Sequence, residues 1–176
     1  MIIVGENLEK LMEQYKIAPK QCFDETCVSL SLGKTCIEMV PNNEQAVLTY
    51  GEPIPKEYLK EYELDDNGLL LAPKAAVLAS SAENIFMPQG YMGLLQTKGS
   101  LARLFVSLHF SDGQVDSGFN GKITFEIFNA SNFCIRIRKR QPVGNLYIIK
   151  ASTKKHKLYQ GKYLGATGPT VQAPYI

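Results

Sequence analysis

Short runs rich in β-branched, aromatic and leucine residues, each cut off by Gly, Pro, Asn or Asp, fill most of this chain. They are CVSLSLG (27–33), QAVLTYG (45–51), GLLLAP (68–73), AAVLASS (75–81), YMGLLQT (91–97), FVSLHFSDG (105–113), KITFEIFN (122–129), FCIRIRK (133–139) and NLYIIKAS (145–152). Runs of this length are too short for core helices but are the normal length of strands, so the expected class is mainly β, a barrel or sandwich. No internal repeat, low-complexity tract or linker interrupts the pattern, and residues 1–176 read as one domain. Its Gly- and Pro-containing end, GKYLGATGPTVQAP, reads as a flexible tail from about residue 160.

Two segments break the strand pattern. In ENLEKLMEQY, Leu8, Leu11, Met12 and Tyr15 share one helical face, with Asn7 as a candidate cap. In PKEYLKEYE, Tyr58, Leu59 and Tyr62 fall on one side of a second, short helix after Pro55.

Several chemistries are excluded by spacing. Cys22, Cys27, Cys36 and Cys134 form no CxxC pair, and His109 and His156 have no ligand-spaced neighbour, which argues for free, mostly buried thiols and against a structural zinc. The LSLGKT stretch ends like a phosphate-binding P-loop, but position 28 is Val where the motif needs Gly. The H-x-E and P-C-x-x-C pieces of a zinc deaminase are absent, as is a G-x-S-x-G nucleophile elbow; His109, between Leu108 and Phe110, reads as a structural histidine. Glu6 and Glu9 come too early for a signal-peptide apolar region and no run approaches a membrane span, so a cytoplasmic protein without membrane contact is expected.

Charge is lopsided. Residues 1–97 carry 7 Lys and 14 acids, and residues 98–176 carry 12 Lys and Arg against 3 acids, the last of them Glu126. A basic half of this kind suits an anionic partner, a phosphate-bearing ligand or a nucleic acid. Within it, TKGSLARL places Lys98, Gly99, Ser100 and Arg103 together, cations and a hydroxyl suited to phosphate oxygens. One strand's length later, SDGQVDSGFNGKITFE carries Asp116 in a turn-rich stretch and Glu126 on a strand whose alternation puts Ile123, Phe125 and Ile127 on one face and Thr124 and Glu126 on the other.

In this order and spacing, these two segments resemble the dCTP deaminase branch of the dUTPase-like superfamily. TKGSLAR (97–103) matches the family's G-R-S-S-L-A-R, and VDSGFNGKITFE (115–126) its I-D-P-G-F/W-x-G-x-I-T-L-E. LASSAENIFMP (78–88) and YQGKYLGATGPT (159–170) are similar to two further family stretches, and CVSLSLG is a weaker echo of S-V-D-L-R-L-G, so the likeness runs from about residue 68 to 170.

The resemblance implies a distorted β-barrel assembled as a homotrimer with sites between subunits, and hydrolytic deamination of dCTP to dUTP. By position, Glu126 is the general acid/base and Arg103 helps place the water and Glu126. Lys98, Gly99 and Ser100 fall in the phosphate loop, Asp116 faces the nucleotide, Thr124 and Phe125 belong to the strand whose backbone meets the pyrimidine, and Tyr159 and Lys162 close over the triphosphate. Mg²⁺ is expected on the substrate phosphates, with no metal held by the protein and no nucleic acid partner. The alternatives are a dUTPase or bifunctional enzyme, with Asp116 placed to activate water at phosphorus, and a catalytically silent nucleotide-binding relative. The last is motivated by departures from the family pattern at Gly99 and Ala166 and by the basic tail; Ser29, Lys98 and Asn145 depart from that pattern as well.

Overall fold

The computed structural model describes residues 1–174, so the last two residues of the expected 1–176 unit lie outside the described residues. The chain is mainly β, and one ten-stranded sheet organises it. Its central path runs Gln114–Val115, Tyr91–Thr97, Pro142–Lys150, Cys27–Met39, Ala76–Ser81, Thr124–Asn129, Val106–Ser107, and every neighbouring pair is antiparallel. The strand Cys27–Met39 is the spine. It runs past the expected end at Gly33 and pairs with Pro142–Lys150 in its first half, with Ala76–Ser81 on both sides of an irregularity between Leu32 and Cys36, and with Leu59–Glu63 from Thr35 to Met39. Such a break in register bends the strand and increases local twist, which curls the sheet around its apolar side.

The curl encloses one core in which Leu30, Leu32, Ala79, Leu95, Phe125, Ile127, Leu146 and Ile148 are essentially inaccessible to water. Period-two alternation supplies it: in Thr124–Asn129 every second side chain is buried, and Phe125 and Ile127 point inward. The helix Gly5–Tyr15 closes one side with Leu8, Leu11 and Met12 buried, as expected. Its N-cap position is Val4, which makes no side-chain capping bond, and Asn7 lies inside the first turn. Asn129, fully buried, is a polar hub: its Nδ2 donates to the carbonyls of Leu71, Ala72 and Phe133, and its Oδ1 accepts from the backbone amide and hydroxyl of Ser131.

Three local expectations change. PKEYLKEYE forms only a 3₁₀ turn, Lys56–Tyr58, followed by the strand Leu59–Glu63, where Tyr62 pairs with Cys36 and donates its hydroxyl to Glu38 at 2.7 Å. A free edge on Cys27–Met39 outweighs the helical spacing. QAVLTYG forms no strand but lies in a loop, with Val47 77% and Tyr50 79% exposed. In FVSLHFSDG only Val106–Ser107 is strand, because Phe105 and Ser111 take positive φ values of 58° and 67° and fold residues 108–113 into an arch. The thiols of Cys22, Cys27 and Cys36 are buried and that of Cys134 exposed, all free.

Candidate active site

The strand Thr124–Asn129 turns its half-buried face, Thr124 and Glu126, toward a cavity of about 830 Å³. The arch 108–113 roofs one end. Its backbone amide at Phe110 donates to Glu126 Oε2 at 2.7 Å, and its carbonyl at Leu108 accepts from the Glu126 amide at 2.8 Å. A charged acceptor fixed by a backbone donor cannot swing freely, so the carboxylate is held at a defined point in the cavity with its other oxygen available. Asp116 lines the same cavity and accepts from Gln114 Nε2 at 2.5 Å. The wall is completed by Phe119 and Tyr159, whose rings pack with centroids 5.9 Å apart, and by Val77, Leu78 and Ile123.

The chain's C-terminal segment covers the cavity. It runs alongside 117–124 and is laced to it: Tyr159 N–H donates to the Ser117 carbonyl at 2.8 Å, Gly165 N–H to Asn120 at 2.7 Å, and Lys122 N–H to Ala166 at 2.7 Å. Farther on, Thr170 N–H donates to Thr124 Oγ1 at 3.0 Å, and the two hydroxyls lie 2.9 Å apart. This close approach explains the glycines of VDSGFNG. Gly118 has φ 91° and a Cβ there would sit 2.9 Å from Leu158 Cβ, while a Cβ on Gly121 would meet the Ala166 backbone nitrogen at 2.9 Å.

Among the residues singled out from sequence, Glu126, Asp116, Thr124 and Tyr159 meet in this cavity. Phe125 does not line it: its side chain is in the core, and only its backbone belongs to the site strand. Lys162 lies in a shallower groove beside it, with Nζ donating to the Pro174 carbonyl. Lys98, Gly99, Ser100 and Arg103 are not brought to Glu126 within one chain. They form the short helix Gly99–Ala102 and its flanks, where Lys98 Nζ lies 3.9 Å from Asp24 and Arg103 is exposed. Sequence reasoning missed the Phe110 amide, Asp112, Lys122 and Thr170. Of these, Asp112 left a signal, since it is one of only three acids after residue 97. Among the described residues, no group of three or more His, Cys, Asp or Glu is arranged to hold a metal, and no helix is long and apolar enough to cross a membrane.

A curled antiparallel sheet of this kind is a fold seen before. The crystal structure of 2′-deoxycytidine 5′-triphosphate deaminase from Agrobacterium tumefaciens superposes with a TM-score of 0.62 at 15% identity, over 84% of this chain and 47% of that one. Residues 2–151 match the family model described as dCTP deaminase-like, and the chain belongs to that family. Among curated relatives, the protein named dCTP deaminase, dUMP-forming, of Corynebacterium kroppenstedtii is 36% identical over 117 residues, covering 64% of this chain and 63% of its own length. The protein of the same name from Persephonella marina is 30% identical over 130 residues, 74% and 72% of the two chains. The match thus spans somewhat less than two thirds of the Corynebacterium protein.

Proposed function

We propose that the protein deaminates dCTP hydrolytically, with Glu126 as general acid/base. The observation that carries this reading is the Glu126 carboxylate, fixed by the Phe110 amide at 2.7 Å inside a cavity large enough for a nucleoside. In the proposed reaction Glu126 takes a proton from water, and the hydroxide adds to C4 of the cytosine as N3 is protonated. Glu126 then moves the proton of the added C4 hydroxyl to the exocyclic nitrogen, the C4–N bond breaks as the C4 carbonyl forms and ammonia leaves, so water and dCTP become dUTP and ammonia. Thr124 and the backbone of its strand would orient the ring, and Phe119 and Tyr159 would pack beside the nucleoside. Mg²⁺ enters as part of the substrate, on triphosphate oxygens, which it prefers.

The phosphate donors belong to a second copy in this reading. Lys98, Ser100 and Arg103 lie outside the Glu126 cavity in one chain, so a homotrimer would complete each site with the neighbour's loop. The exposed Leu104 and Phe105 immediately after the loop support burial of this edge in an assembly.

Both Corynebacterium and Persephonella relatives carry the name dUMP-forming, which favours a second reading in which deamination is followed by hydrolysis to dUMP and diphosphate, with Asp116 placed for the phosphorus chemistry. One experiment tests both: incubate the protein with dCTP and Mg²⁺ and read ammonia and diphosphate separately. Ammonia with diphosphate is the bifunctional outcome, ammonia alone the simple deaminase, and neither removes the proposal. Glu126→Gln should lower ammonia release roughly a hundredfold to ten-thousandfold; undiminished release would reject Glu126 as the acid/base.

A further inference from the structure

The basic part of the chain, residues 98–176, holds only three acids, Asp112, Asp116 and Glu126, and all three line the same cavity. Two of them are committed: Glu126 to the Phe110 amide and Asp116 to the Gln114 side chain. Asp112 is not. Its carboxylate makes no hydrogen bond or ion pair among the described residues, although it sits on the arch only two residues beyond the amide that holds Glu126. Among the described residues Lys122 is the one cation of the lining, and the arch that carries the Phe110 amide adds the Asp112 carboxylate beside Glu126, which favours a neutral ligand edge rich in donors there.

We propose that Asp112 is a specificity-determining residue that selects a 4-amino pyrimidine against a 4-oxo one. This rests on the reading of the cavity as a pyrimidine nucleotide site. An ionised carboxylate can only accept hydrogen bonds. The exocyclic amine of cytosine offers N–H there, the same pairing by which acidic side chains read cytosine in nucleic acids. Uracil and thymine put a carbonyl oxygen in that place, which faces the carboxylate as one acceptor against another and leaves both without a donor. The same arch carries Asp112 and the Phe110 amide that holds Glu126, and in this proposal the substituent Asp112 meets is the one on the carbon that Glu126 works on. Asp112 thereby favours substrate over the deaminated base, and its exposed position lets it act without a structural role in the core.

The test is equilibrium binding of the α,β-imido analogues of dCTP and dUTP with Mg²⁺, in the Glu126→Gln protein to stop turnover, with and without Asp112→Asn. The Glu126→Gln protein should bind the cytosine analogue more tightly than the uracil analogue. Adding Asp112→Asn should shrink that ratio about tenfold, and adding Asp112→Glu should retain it. If Asp112→Asn tightens both analogues equally, Asp112 acts only as a general repulsive charge and the proposal is overturned, as it is if the ratio does not change. If the Glu126→Gln protein binds neither analogue, the nucleotide reading falls and takes this one with it.

Discussion

Glu126 illustrates how little a residue's identity says until its partners are known. A Glu on the half-buried face of an amphipathic strand is ordinarily solvated; here a backbone amide from an arch 16 residues away in sequence pins one oxygen in a cavity. The buried thiols carry a different consequence. Burial, with a smaller contribution from Glu38, pushes the Cys36 thiol up to about 12 from its usual value near 9. The folded-state value is raised, so the stabilisation is fully present below pH 9 and is lost as pH rises toward 12, where the unfolded thiol ionises and the folded one does not. Urea unfolding of wild type between pH 9 and 12 should therefore lose stability faster than Cys36→Ala, by up to about 1.4 kcal/mol per pH unit. Parallel pH slopes would show that Cys36 does not titrate in this way.

At the level of elements, the site depends on three segments far apart in sequence: the strand Thr124–Asn129, the arch 108–113 and the C-terminal cover. The cover is held by backbone hydrogen bonds to a stretch whose glycines exist to let it approach. Gly118→Ala should cost about 1–3 kcal/mol, since it combines a left-handed φ with a close contact to Leu158. It should also make the segment after Leu158 more sensitive to limited proteolysis. Unchanged unfolding and cleavage would mean that the backbone relaxes there without cost.

For the whole molecule, the separation of Arg103 and Lys98 from Glu126 leads to an assembly prediction. Light scattering should give three times the 19.6 kDa chain mass, and a mixed sample of Arg103→Ala and Glu126→Gln subunits should recover ammonia release that neither variant shows alone. A monomer as active as the assembly would reject shared sites. Complementation of this kind is expected only when a site draws its parts from two chains.

Local chemistry determined a good part of this: the period-two alternation of 122–129, the helix at the start, the free thiols and the family-like spacing of TKGSLAR and VDSGFNGKITFE all follow from neighbouring residues. The strand Leu59–Glu63 and the loop 45–51 could not be read that way, because whether a segment is strand depends on whether a partner edge is open to it. The same holds at the site. Residue order places Glu126 on the polar face of a strand, but only the tertiary fold decides that the Phe110 amide holds it, that Asp112 and Asp116 share its cavity, and that Lys98 and Arg103 do not. Hydrogen bonds and cavities join atoms distant along the chain, and no local pattern encodes their distance.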